Sequence, residues 1–390
     1  MKRRSPLALV VVAALALLAA ACGVSDEARG WAAPVRTGDM LLVSTGKGRL
    51  DALDASTQAP LWRFPNRWSI SEGGARSLKG IYGPPVLSDD GSTIFVGDYN
   101  GYLYAFRPGD LAAGGTDDKP HAAAVKLDGA VIGGLTLSNG ILYVPSGRSL
   151  FRLDVADVIA NINNKDDKVT VTRLFETEGE IWSMPTLQNG KVIFASLDGN
   201  LYAIDASTGQ EVWRFTGTRS LASTPVIAGD LVLVGGFDTK LHAVDINTGE
   251  QRWEFEAENW VWSSPVIEDD RLYFGDFDGN VYAVSLSDGS EVWSSNLTDS
   301  PIVGSPALAG GVLVVAGQDG TIFGLDPATQ AERWSPQSLG TSIAADLVAE
   351  STTVYLAPTG CVAQGEGSSR AYYLSVDALT GALRSTSEVC

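Results

Sequence analysis

The chain has 390 residues, 45% hydrophobic and 19% charged, which is enough apolar content for a large core and excludes wholesale disorder. Forty-six acidic residues against 28 basic give a net charge of −18, a surface that repels polyphosphates and excludes nucleic acid as a partner. Two histidines leave little room for His-based metal sites or a Ser-His-Asp triad, and 43 glycines imply many tight turns.

Lys2, Arg3 and Arg4 precede an apolar run over residues 7–21 that ends in small residues. This is the pattern of a signal peptide over residues 1–21, too short to cross a bilayer comfortably. Its removal takes three positive charges and no acid, so the net charge moves from −18 to −21. Leu18-Ala19-Ala20-Ala21-Cys22-Gly23 resembles the lipobox of bacterial lipoproteins, with Ala19 where that pattern carries Leu. The resemblance implies an acylated Cys22 followed by a polar tether, residues 22–30. Ordinary Ala-x-Ala cleavage, leaving Cys22 unmodified, is the other reading. With Cys22 lipidated, Cys361 and Cys390 remain as an even pair in an oxidising compartment, and a disulfide between them is expected.

A repeat fills the rest of the chain. Trp213, Trp253 and Trp293 lie 40 residues apart and Trp334 follows after 41. Residues 221–253 show four short apolar runs separated by Ala228-Gly229-Asp230, Gly236-Phe237-Asp238 and Asn247-Thr248-Gly249, which reads as four strands with turns between them. Pro34, Pro85, Leu135, Pro185, Pro225, Pro265, Pro306 and Asp346 mark one position in every repeat. Ala52, Ala105, Arg152, Ala203, Ala243, Ala283, Gly324 and Ser375 mark another, on the third strand. Both markers count eight. The expected fold is all-β: an eight-bladed β-propeller of four-stranded antiparallel blades, one domain over residues 31–390.

Two repeats read Ala203-x-Asp205-x-x-Thr208-Gly209-x-x-x-Trp213 and Ala243-x-Asp245-x-x-Thr248-Gly249-x-x-x-Trp253. This resembles the tryptophan-docking motif of propellers of the pyrroloquinoline quinone (PQQ) dehydrogenase type, which implies that Trp62, Trp213, Trp253, Trp293 and Trp334 are wedged between blades. Ser385 stands in the corresponding place of the last repeat. With the leader, the repeat also resembles the BamB-type lipoprotein propellers of outer-membrane protein assembly, and equally the wider class of PQQ-like-repeat lipoproteins.

Strand order assigns the loops to rims. The start of the first strand, the second–third hairpin and the end of the fourth strand share one rim. At the start of the first strand, Trp31, Tyr82, Trp182 and Trp262 are expected to meet where the channel opens. They are either packing that plugs the mouth or a contact surface. An insertion over residues 65–79 brings Arg67, Trp68, Arg76 and Lys79 to the same rim, and residues 358–370 form a second insertion there. Residues 107–121 and 156–168 fall towards the opposite rim and read as solvated. Asp98-Tyr99-Asn100-Gly101, Asp198-Gly199, Asp278-Gly279 and Asp319-Gly320 are expected as type I′ hairpin turns rather than calcium loops.

PQQ enzymes resembling this fold use a vicinal disulfide, a calcium ion and a catalytic aspartate. The chain has no adjacent cysteines and no Cys-x-x-Cys-His for haem. The sequence therefore points to a non-catalytic module: extracytoplasmic, held to the membrane by lipid, cofactor-free and monomeric, binding another envelope protein. In a host with an outer membrane, the resemblance implies a part in outer-membrane protein assembly. The alternative is a quinoprotein dehydrogenase or small-ligand sensor with PQQ at the channel mouth.

Overall fold

The computed structural model describes residues 30–45, 48–65, 78–112, 122–163, 168–363 and 370–386. Its strands form eight antiparallel sheets of sequence-consecutive strands, the blades of a ring: 35–64, 86–126, 136–176, 186–216, 226–256, 266–296, 307–338 and 348–386. We number them blades 1 to 8. The expected eight-bladed propeller is the observed fold, and all eight third-strand markers lie on the third strands.

Blade 5 shows why the sequence takes this form. Its second and third strands, Leu231–Gly235 and Lys240–Asp245, are buried at every position after the first. Neighbouring blades cover both faces of each sheet, so these strands carry continuous apolar runs instead of alternation. The outer strand Gln251–Glu256 does alternate, with Trp253 and Phe255 turned inward and the other residues exposed.

The docking motif resolves into separate physical jobs. Ala203, Ala243, Ala283 and Ala52 stand directly across the ladder from Trp213, Trp253, Trp293 and Trp62, so a small residue makes room for each indole. In blade 7 Gly324 faces Trp334, and a Cβ there would sit 2.1 Å from the ring. Each indole then reaches into the following blade. Trp213 Nε1 donates to Ile246 O at 2.9 Å, Trp253 to Leu286 O at 3.1 Å, Trp293 to Pro327 O at 3.0 Å and Trp334 to Ala378 O at 2.8 Å. Three of these carbonyls follow the motif aspartate of the receiving blade, Asp245, Asp326 or Asp377, and Leu286 follows Ser285 in the same place. The motif aspartate shapes the turn: Asp245 Oδ1 accepts from the amides of Asn247 and Thr248. The glycine closes the arrangement. Gly249 has φ +76°, and a Cβ on it would lie 2.9 Å from the Trp213 ring.

Where the motif is absent, other groups fill the space. Between blades 2 and 3 a helix spans Val155–Asn163, capped by Asp154 Oδ1 on the Ala156 amide at 2.8 Å. Val155, Val158 and Ile162 pack against Ala123, Val125 and Phe151. The expectation of a solvated segment over 156–168 is corrected here, because the apolar residues of this helix recur on one face and bury it. A shorter helix, Pro108–Ala112, places Leu111 beside Trp62 and Phe106. Blade 8 closes on blade 1 through Tyr355, Tyr372 and Leu374 against Leu41, Val43 and Leu53, with an Arg36–Glu350 ion pair outside them.

The second–third hairpins differ from the type I′ expectation. Asp276 N donates to Asn280 O, enclosing three residues, and Gly279 takes the left-handed conformation while the preceding Asp278 does not. That is the three-residue loop with a glycine bulge. The positive-φ pairs lie instead in first–second hairpins, at Asn139-Gly140 and Asn189-Gly190. Blades 4, 5 and 7 enclose three residues in the same way from Ser196, Gly236 and Gly317, and in blade 6 an aspartate side chain braces the turn. Asp276 Oδ1 accepts the amides of Asp278 and Asn280, and its Oδ2 accepts the Tyr282 hydroxyl, which fixes a wider turn.

Replacing Trp253 with Ala is expected to cost about 3–5 kcal/mol, as for other buried large-to-small changes. Urea unfolding of the variant measures it, and a loss below about 1 kcal/mol would contradict the docking role.

A second prediction concerns acid. Hydrogen bonds from the Ser207 and Thr208 side chains and amides hold Asp205 at about 2, and Arg252 with the Asn247 and Thr248 amides holds Asp245 at about 2. An aspartate depressed below its unfolded value of about 3.9 contributes stability above that pH and loses it as pH falls through the folded value. The melting temperature should therefore fall between about pH 4 and pH 2, and more shallowly in an Asp205→Asn, Asp245→Asn double variant. Equal slopes would show that these turns do not carry the acid response.

Candidate functional site

The starts of the first strands converge around the ring axis, and there the fold leaves a cavity of about 110 Å³. Small residues stand closest to the axis because eight chains meet there. They also join the blades. Ser264 N donates to Ser305 Oγ at 2.9 Å, Ser264 Oγ to Thr224 O at 3.0 Å and Ser305 N to Asp346 Oδ1 at 2.7 Å. Asp346 thus stands in the slot of Thr224, Ser264 and Ser305 rather than in the proline position the sequence alignment gave it, which falls on Leu347 directly before the first strand, and its carboxylate ties blade 7 to blade 8.

Trp31, Tyr82, Trp182 and Trp262 all line this cavity. Trp31 and Tyr82, from blades 1 and 2, meet edge to face at 4.5 Å. Trp182 and Trp262, from blades 4 and 6, stack at 5.7 Å and 25°. They meet because blade 5 offers only Ala222 between them. Trp182 Nε1 donates to Glu180 Oε2 at 2.8 Å, fixing its ring. Burial, with Tyr99 adding to it, pushes the Tyr82 hydroxyl up to about 12, so it remains a neutral donor across the physiological range.

The sequence reading missed the residues around these four. Phe237 packs on Trp260 and Trp262 at 5.0 and 5.6 Å, Phe277 lies parallel to Trp262 at 5.9 Å, and Tyr99 leans on Tyr82 at 5.7 Å. Tyr99, Phe237 and Phe277 occupy one slot, directly after the first residue of the second–third turn. Reading that slot down the repeats, rather than its aspartates and glycines alone, would have found them. Tyr99 is 38% exposed. The mouth therefore continues onto the rim as one aromatic surface.

Of the basic insertion, Lys79 is exposed and its amide donates to Asp98 Oδ2 at 3.3 Å, while Arg67, Trp68 and Arg76 lie outside the described residues. Cys361 sits half-buried beside Tyr355 and Tyr372, between the second and third strands of blade 8. Cys22 and Cys390 lie outside the described residues.

Asp346 is the one charged residue among the described residues lining the cavity. A polycarboxylate quinone such as PQQ would meet a like charge there and no described cation, so the wall does not fit that cofactor. Among the described residues no group of three or more His, Cys, Asp or Glu is placed to hold a metal ion.

His242 is a packed ring, as its slot predicted, but with a partner the sequence reading did not find. It is 2% exposed, with Nε2 2.9 Å from Asp238 Oδ2, Nδ1 3.2 Å from Gln251 Oε1, and the Phe215 ring 5.0 Å away. In blade 4 the Tyr202 hydroxyl donates to Asp198 Oδ2 at 2.9 Å in the same place, so His242 substitutes for a turn-bracing tyrosine. Burial is the largest influence on the Asp238 carboxyl and raises it, but the bond and attraction of His242 together with the Thr218 amide and hydroxyl leave it lowered. His242→Tyr should therefore unfold within about 1 kcal/mol of wild type, whereas His242→Leu, which leaves the buried carboxylate only the longer Thr218 bonds, should lose about 3–5 kcal/mol. Equal losses in denaturant titration would refute the substitution argument.

A family model described as outer membrane protein assembly factor BamB matches residues 118–259 and 256–389. No curated protein matches the chain. Among solved structures, the computationally designed Ika8 protein superposes with a TM-score of 0.64 at 17% identity, covering 86% of this chain and 95% of its own. BamB from Moraxella catarrhalis gives 0.62 at 18% identity, covering 84% and 90%. At these identities the superpositions speak to fold.

Proposed function

The chain belongs to the family of the outer membrane protein assembly factor BamB, and from that premise we propose that it is a non-catalytic scaffold of the cell envelope. It binds another envelope protein with the rim that carries the channel mouth, and in a host with an outer membrane it serves outer-membrane protein assembly. The observation that supports this rim is the continuous aromatic surface from Trp31, Tyr82, Trp182 and Trp262 out to Phe277 and exposed Tyr99. Aromatic clusters of this kind supply large contact area at low entropic cost. The opposite rim is occupied by the turns that receive the docking tryptophans, which leaves it less free to vary.

The same reading assigns the anchor and the staple. Cys22 carries lipid after removal of residues 1–21, residues 22–30 tether the fold, residues 31–390 form one propeller domain, and Cys361 pairs with Cys390. The placement of Cys361 in the extended hairpin of blade 8 supports the pairing, since the fourth strand Leu383–Thr386 runs beside Arg370–Asp377 towards the rim of that hairpin. Closing a loop of about 30 residues contributes roughly 3–4 kcal/mol in the chain-entropy model.

Photo-crosslinkers placed singly at Tyr99 and Lys79, and at Asn247 on the opposite rim, test the scaffold reading in the native envelope. Adducts of one discrete protein from the first two positions alone are expected, and adducts from Asn247 alone would overturn it. Intact mass of the native protein, alkylated without reductant, reads the covalent claims. An unlipidated chain, or two alkylated cysteines, would reject the corresponding one.

A further inference from the structure

We propose that the channel mouth is an aromatic box for an organic cation, a quaternary ammonium or guanidinium group. The inference stands on the cavity and does not rest on the scaffold reading. The cavity is several times larger than one water requires, so it is a site with room rather than a packing fault. Aromatic pairs from opposite parts of the ring form its walls: Trp31 with Tyr82, and Trp182 with Trp262. Both pairs are offset or edge-on, so the rings are not sandwiched into a closed stack. An indole or phenol face carries the negative end of the ring quadrupole and attracts a cation, most strongly where water is scarce.

Three further observations set the sign of the ligand. Asp346 is the only charged group among the described lining residues, so the walls add a carboxylate and no described competing cation. One of its oxygens is fixed by the Ser305 amide, which holds the carboxylate at the axis. Trp182 donates its N–H to Glu180, and donation to an anion enriches the ring facing the cavity. The net charge of −18 draws cations to the molecule as a whole. A neutral hydrophobic ligand gains nothing from these three features, and an anion is opposed by each. The cation comes from one of two sources: a free small molecule, or an arginine side chain presented by a docked protein.

Tryptophan fluorescence and calorimetry on the purified protein test this with choline, its neutral isostere 3,3-dimethylbutanol, and Nα-acetyl-arginine amide. Choline or the arginine derivative should saturate and bind roughly tenfold tighter than the isostere, the discrimination expected from desolvated cation–π contacts. Tighter binding of choline assigns the free ligand, and tighter binding of the arginine derivative assigns the side chain. Asp346→Asn, which keeps an acceptor for Ser305, should weaken the cations several-fold and leave the isostere unchanged. Trp31→Leu, on the far wall, should weaken the cations as well, with circular dichroism confirming the fold. Equal affinity for choline and its isostere, or no saturable signal from either cation, would overturn the proposal.

Discussion

Everything in this molecule depends on placing one indole from each of several blades into a turn of the next. A lone blade cannot bury its faces, so the ring exists only if neighbours are held at a fixed distance and rotation. The indole does both, because it fills the inter-blade space with apolar area while its single N–H finds one carbonyl, at Ile246, Leu286, Pro327 or Ala378. An aliphatic residue would fill without orienting. The remaining motif residues serve this contact: alanine or glycine across the ladder, aspartate to shape the receiving turn, and glycine to let the ring approach.

That arrangement divides the two rims. The receiving turns are spent on assembly, so variation there must be compensated. The rim with the channel mouth carries no docking contact, and its first-strand starts are free to differ from blade to blade. They do differ: Trp31, Tyr82, Ile132, Trp182, Ala222, Trp262 and Val303 occupy one slot in the repeat. The small Ala222 matters as much as the large residues beside it, since it lets Trp182 and Trp262 touch across the gap.

The fold was legible because the docking contact is written once per blade and repetition amplifies it. The first-strand marker and the third-strand marker each count eight, and no single strand had to be recognised alone. The four mouth aromatics were legible for the same reason, as one column of the repeat. What escaped were features whose meaning lies in a partner on another strand. The residue after Gly236 or Asp276 looks like a turn filler until Phe237 and Phe277 are seen against Trp262. The Asp238–His242 contact was hidden because its analogue, Asp198 with Tyr202, pairs different chemistry at the same spacing. The backbone acceptors of the indoles carry no side-chain signature at all.

The breaks in the repeat obey the same constraint as the repeat itself. Blade 2 lacks the outer tryptophan, and Ala123 faces Ala105 where an Ala–Trp pair would stand. The volume is restored from the other side: blade 3 replaces a tight third–fourth turn with the helix Val155–Asn163, whose Val155, Val158 and Ile162 enter the space beside Ala123. Blade 1 keeps Trp62, and the turn that receives it is again a helix, with Leu111 and Phe106 as the floor. Blade 8 has neither tryptophan nor helix, and tyrosines 355 and 372 carry the closure. Space between blades can thus be filled by an indole reaching forward, a helix reaching back, or aromatic residues of the inner strands. None of these solutions touches the mouth. The molecule can therefore change how its blades are joined without changing what its axis presents, and that separation lets a structural repeat carry a binding surface.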